Sequence, residues 1–290
     1  MPMFHIPDVA LHLIESKHVA QVYRVQVMQP LQKAGEVERF PALYLTDANL
    51  SFDMAKGISH LLQVSGQVRR YIVVGIGYPG ENPFAGSVLR CRDFTSPRRP
   101  AIADLPRSSP IAGVPGLEDG AKQWHGAAQF LAFIRDELIP LIEGTYPVIP
   151  GDRAYAGYSM GGGLGLHALF SQPDLFTRYL IASPSLSYDG NDYGLDEARE
   201  FIAAGKRLDA RVFTAVGELE ELDADESVAR PRFVSSVCRL AALLRKAQIP
   251  GLDLSCRIFP GETHASVWPI AFTHGVQALY GPAAASPLRA

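Results

Sequence analysis

The stretch Ala154–Leu166, AYAGYSMGGGLGL, sets one serine, Ser159, among Gly157, Gly161, Gly162 and Gly163. A serine hydroxyl is a weak nucleophile until a base takes its proton, and that base needs a carboxylate to fix its tautomer. The chain has eight histidines and an acidic run that begins with Glu218, Glu220 and Glu221. It therefore carries the parts for nucleophilic acyl transfer. The bare Gly-x-Ser-x-Gly pattern arises by composition alone in about one chain in seven of this length, so the elements that hold the serine must decide.

Those elements alternate between strand and helix patterns, the signature of a sheet covered on both faces. Val22–Val27 alternates apolar and polar residues, as an outer antiparallel strand does, whereas 41–46 (PALYLT) and 71–76 (YIVVGI) are continuous apolar runs of the doubly buried kind. Tyr179–Ala182, Arg211–Val216 and Leu254–Phe259 complete the expected strands. Phe130, Phe133, Ile134, Leu138, Leu141 and Ile142 fall at helical spacing, as do Val234, Val237, Leu240, Ala241 and Leu244. RAYAGYS reads as a strand that ends at Ser159, and a glycine-rich helix opens at Met160. A sharp strand-to-helix turn of that kind pushes the serine out at the top of the sheet, next to the free N–H groups of a helix N-terminus. The Pro-, Ser- and Gly-rich segment Thr95–Gly120 is expected to be a long ordered loop over the sheet edge.

Composition bounds the rest. At 290 residues, 47% hydrophobic and 20% charged, the chain is expected to form one globular domain over 1–290 with its core at about 14–280. A net charge of -3 without a basic stripe excludes nucleic acid as an expected partner. No apolar run reaches the roughly 18 residues of a membrane span, and the first residues show no export signal. A cytoplasmic protein is the expectation, and Cys91, Cys238 and Cys256 are read as free thiols.

The chain resembles the esterase D / "putative esterase" family of α/β-hydrolases, and within it the siderophore (enterobactin-type) esterase-like branch. The likeness runs from about Ile14 to Tyr280. It rests on YLTDANLSFD (44–53), RCRDFTSP (90–97), AGYSMGG (156–162), PDLFTRYLIASPSL (173–186), VGELE (216–220) and FPGETH (259–264), with Ala48 where the family's usual turn has glycine. The resemblance implies a mostly parallel sheet with helices on both faces, no large cap domain, and no metal or organic cofactor. It also implies a small-molecule ester as substrate.

In such a fold the base follows the last strand, and His264 alone does so in a loop, introduced by Pro260-Gly261 and followed by a helix from about Ser266, whereas His167 reads as packed or solvent-facing and His125 and His274 as ordinary helix or loop residues. The oxyanion of the tetrahedral intermediate needs fixed donors. One is expected from the main chain of Met160 and the other from Asn49, with Ala48 and Leu50 as neighbouring alternatives. The acid comes from Glu218, Glu220 or Glu221. The family's Gly-x-x-acid spacing from Gly217 selects Glu220, while a Ser-His dyad without an acid stays open. Arg90 and Asp93 form either a structural ion pair or a substrate-orienting pair beside the cleft, and Trp124, Tyr188 and Trp268 are candidate pocket walls. A serine esterase acting through an acyl-enzyme is the reading that results, with a siderophore trilactone as the favoured substrate. A thioesterase of the S-formylglutathione hydrolase kind or an acyltransferase would use the same residues. A catalytically inactive binding module is the alternative from another class.

Overall fold

The computed structural model describes residues 9–32, 38–80, 86–99, 125–187, 191–221 and 232–282. Among them an eight-stranded sheet comprises β1 (Val9–Ser16), β2 (Gln21–Met28), β3 (Phe40–Leu45), β4 (Ile72–Gly77), β5 (Val148–Tyr158), β6 (Arg178–Ala182), β7 (Ala210–Gly217) and β8 (Leu252–Phe259). The spatial order is β1-β2-β4-β3-β5-β6-β7-β8. Strand β2 runs antiparallel to both β1 and β4, and the remaining pairs are parallel. This is the expected α/β-hydrolase architecture. Val22–Val27 is not its outer strand, however, because β1 lies beyond it and forms the edge.

Successive side chains of a strand point to opposite faces, and here both faces are apolar. Leu43, Leu45, Val73, Ala154, Ala156, Leu180 and Phe213 pack under α1 (Ala48–Val64) and the C-terminal helix Val267–Tyr280. Tyr44, Ile72, Val74, Tyr155, Tyr179, Ile181 and Val212 face the other way, toward the remaining helices. These are α2 (Ser87–Asp93), α3 (Ala127–Phe133), α4 (Ile139–Thr145), α5 (Met160–Ser171), α6 (Tyr193–Ala203) and α7 (Phe233–Ala247), so the C-terminal helix is α8. Helices α3 and α4 are joined by a π-helical turn, Ile134–Leu138. Pro140 explains it: the ring has no N–H and would strike the carbonyl four residues back, and the wider turn before it absorbs that misfit.

The strand order reverses direction between β3 and β5. From β3 the chain crosses through α1 to β4 on one side, and from β5 through α5 to β6 on the other. A crevice opens at the carboxyl ends of the two strands at such a switch point. The segment after β3 (from Thr46) and the segment after β5 (from Ser159) meet there, with Thr46 N–H donating to Ala156 O at 3.1 Å.

Candidate active site

Ser159 joins β5 to α5 with φ 57 and ψ -119, a left-handed conformation that a non-glycine residue rarely adopts. The turn holds because its neighbours lack side chains. A Cβ on Gly157 would lie 2.4 Å from the Gly161 carbonyl oxygen, and one on Gly161 would lie 2.6 Å from Thr46 Oγ1. Around the serine, Ser159 N–H donates to Ala182 O and Ser159 O accepts from Gly163 and Ser185, each at 3.0 Å.

The structure brings Ser159, His264 and Glu220 together. Ser159 Oγ lies 3.1 Å from His264 Nε2, and His264 Nδ1 lies 2.6 Å from Glu220 Oε2. A carboxylate only accepts, so Nδ1 carries the proton and Nε2 faces the serine hydroxyl as an acceptor. The Glu220 side chain is 0% exposed. Its second oxygen accepts from Ser183 Oγ and from the Gly217 N–H, each at 2.6 Å. Three donors therefore fix this carboxylate. His264 is held by its rings' neighbours as well: Phe233 stacks on it at 4.4 Å and Tyr158 lies at 4.8 Å. The Tyr158 hydroxyl donates to the His264 carbonyl oxygen. Burial, and then the Glu220 charge, push the Tyr158 pKa up, so it stays a phenol and a donor.

The three glutamates are separated by local geometry. The chain after β7 does not stay extended but closes a 3-10 turn over Glu218–Glu220, so a two-residue alternation does not apply. Glu218 accepts from the Gly261 N–H at 3.0 Å, and Glu221 accepts from Ser235 N–H and Oγ at 2.6 and 2.5 Å. The other histidines are engaged elsewhere: His125 Nδ1 with Ser96 O at 2.8 Å, His167 with Glu197 at 3.0 Å, and His274 stacked on Phe259.

At the head of α1, Asp47 is left-handed (φ 56). Leu50 N–H is bonded to Asp47 O at 3.0 Å, which removes Leu50 from the candidate donors. The main-chain N–H groups of Ala48, Asn49 and Met160 lie in the first turns of helices, where no intrahelical acceptor exists. Asn49 spends its side chain on Tyr78, with Nδ2 donating to Tyr78 O at 2.8 Å and Oδ1 accepting from Tyr78 N–H at 2.7 Å.

Arg90 and Asp93 do not pair with each other. Arg90 donates twice to Asp47, Nε to Oδ1 at 2.7 Å and Nη2 to Oδ2 at 2.8 Å. Burial opposes its charge, and Asp47 more than offsets this, so the Arg90 pKa lies above its ordinary value. Asp93 is completely buried and accepts from Tyr23 Oη (2.6 Å), Tyr78 Oη (2.9 Å) and Arg92 Nε (2.6 Å). It cannot touch a substrate. Instead it ties α2 to the sheet, and α2 in turn carries Arg90 to Asp47. Asp93→Asn leaves a donor facing donors in a sealed site and is expected to cost about 3 kcal/mol, read by urea unfolding, with KM for a short acyl ester unchanged.

Trp268 is also corrected. It is buried between α8 and α1, donates Nε1–H to Ser51 Oγ at 2.9 Å and stacks on Tyr158 at 5.5 Å, so it backs the site without lining an open pocket. Trp124, Tyr188 and the Thr95–Gly120 loop beyond Arg99 lie outside the described residues. Sequence reasoning missed Ser183, Tyr158, Phe233 and Asp47. The SPSL motif, Ser183–Leu186, was the available signal for the first of them. No helix among the described residues is long and apolar enough to cross a membrane.

The sequence model of the family described as "Putative esterase" matches residues 105–279. Ferri-bacillibactin esterase BesA of Bacillus subtilis (strain 168) is 28% identical over 285 residues, 94% of this chain and 90% of its own length. Among solved structures, BES protein from Bacillus cereus is 27% identical with a TM-score of 0.78, covering 97% of this chain and 99% of that one. Siderophore hydrolase EstA from Aspergillus nidulans is 25% identical with a TM-score of 0.79, covering 96% of this chain and 97% of that one. The matched family covers more than half of the chain, which sets aside the inactive binding module. The chain belongs to this esterase family and is an ester hydrolase of α/β-hydrolase fold.

Proposed function

We propose that the chain, as one α/β-hydrolase unit, cleaves carboxylic esters through an acyl-enzyme on Ser159. His264 is the base and then the acid, and Glu220 orients it. The observation that carries this reading is the unbroken relay from Ser159 Oγ through both ring nitrogens of His264 to Glu220. Ser159 Oγ attacks the ester carbonyl carbon and its proton passes to His264 Nε2. The tetrahedral oxyanion is held by main-chain N–H groups of Met160 and of the first turn of α1, Asn49 with Ala48 beside it. His264 then protonates the leaving alcohol, and water, deprotonated by the same nitrogen, releases the acid.

The substrate class is a polyester siderophore of the trilactone kind. Support comes from the relatives, whose names are ferri-bacillibactin esterase and siderophore hydrolase. A panel compared by kcat/KM tests it: a triscatecholate lactone, a feruloyl ester, S-formylglutathione and short acyl esters. The lactone is expected to lead by at least tenfold. Equal or better turnover of S-formylglutathione would instead assign a thioesterase.

A further inference from the structure

Arg99 is 7% exposed, yet its guanidinium has no carboxylate partner among the described residues, and its Nε finds no acceptor. The half-buried arginines differ: Arg92 has Asp93, Arg90 has Asp47 and Arg153 has Glu143. A buried cation without a counter-charge is costly unless something else supplies one. Arg99 lines a small cleft with Ser96, Met160, Gly163, Ser185 and Tyr193. Its volume is about 10 Å³, room for one oxygen-sized group. Met160 and Gly163 belong to the first turn of α5, and Met160 follows Ser159 directly, so one wall of the cleft is a single residue from the nucleophile and shares the positive end of that helix.

Among the described residues no other polar group of the cleft forms an ion pair with Arg99. Glu197 also lines it, but its carboxylate is held by His167 Nδ1 at 3.0 and 3.1 Å. The Tyr193 hydroxyl donates to Ser185 O at 3.0 Å.

We propose that Arg99 is an anion subsite of the active site, taking a carboxylate or phenolate oxygen borne by the ester substrate. The inference rests on the esterase reading above and adds a charge requirement to it. A substrate carrying such an oxygen a few bonds from its ester carbonyl gains a charge-assisted hydrogen bond in a water-poor setting. Such a bond is worth about tenfold to hundredfold in kcat/KM.

Two ester pairs separate the possible carriers of the charge. For the acyl arm, p-nitrophenyl hydrogen glutarate is compared with its neutral methyl ester. For the alcohol arm, p-carboxyphenyl butyrate is compared with the p-carbamoyl ester. The wild-type enzyme is expected to favour the anion at least tenfold in one arm. Arg99→Gln should collapse that ratio toward one, and Arg99→Lys should restore part of it. A ratio that Arg99→Gln leaves intact, or a neutral preference in both arms of the wild type, overturns the proposal. Glutarate and benzoate supply a readout free of turnover: one of them should raise the Tm of the wild type and not of Arg99→Gln. If the neutral esters are not hydrolysed at all, the esterase reading fails, and the anion-induced Tm shift alone decides on Arg99.

Discussion

Ser159→Ala is expected to remove ester turnover, lowering kcat by about a millionfold, as loss of a nucleophile that acts together with its base does. The hydroxyl is the only atom group lost, and the surrounding turn is made by main-chain bonds to Ala182, Gly163 and Ser185 that alanine keeps. An organophosphonate probe should label Ser159 in the wild type and nothing in the variant. Labelling of another serine would transfer the nucleophile. The same position also tests the backbone. At φ 57 and ψ -119 a residue with a Cβ is strained by about 1–3 kcal/mol, and glycine is not. Ser159→Gly should therefore be as inactive as Ser159→Ala yet more stable than it by about 1 kcal/mol, after the larger unfolded-state entropy of glycine is allowed for. Equal urea midpoints for the two variants would mean that the turn stores no strain.

Glu220→Gln should lower kcat by about tenfold to ten-thousandfold, the upper figure being the loss seen when a triad carboxylate becomes an amide. The reason lies in the donors. His264 Nδ1, Ser183 Oγ and the Gly217 N–H all converge on Glu220 within 2.6 Å. An amide offers one acceptor oxygen and sets its own NH2 against the rest. If the oxygen stays with Gly217 and Ser183, the amide donates to His264 and forces the proton onto Nε2, where it meets the serine instead of accepting from it. Glu218→Gln and Glu221→Gln should change kcat by less than about threefold, because Gly261 and Ser235 can be served by an amide oxygen equally well. A Glu218→Gln loss that matches that of Glu220→Gln would move the acid.

Much of this site was legible because its parts obey local rules. The nucleophile turn announces itself through glycines whose absence of side chains the close contacts require. His264 could be chosen because it follows the last strand. The acid could be narrowed to three neighbours but not read from alternation, since the 3-10 turn at Glu218–Glu220 breaks the strand period there. The pairing of Arg90 with Asp47 was illegible for another reason: the partners lie 43 residues apart, and Asp93, one helical turn from Arg90, looked like the natural counter-ion. Asp93 is claimed by two phenols that the sequence gives no hint of bringing together. Strand β1 was missed because its apolar pattern is inverted, with Leu11 and Leu13 at 55% and 66% exposed while His12 turns inward to Tyr146.

Ser159, Ser183, Glu220 and His264 follow β5, β6, β7 and β8, which are neighbours in the sheet. The relay thus crosses the sheet one strand at a time and ends on β8, which among the described residues has a hydrogen-bonded neighbour on one side alone. Edge strands fray before central ones, and their amides exchange first. The proposed base is therefore mounted on the least protected of these four strands. Mild denaturation would unseat His264 while β3, β5 and β6 remain folded, leaving a native-like chain with its nucleophile in place and nothing to activate it.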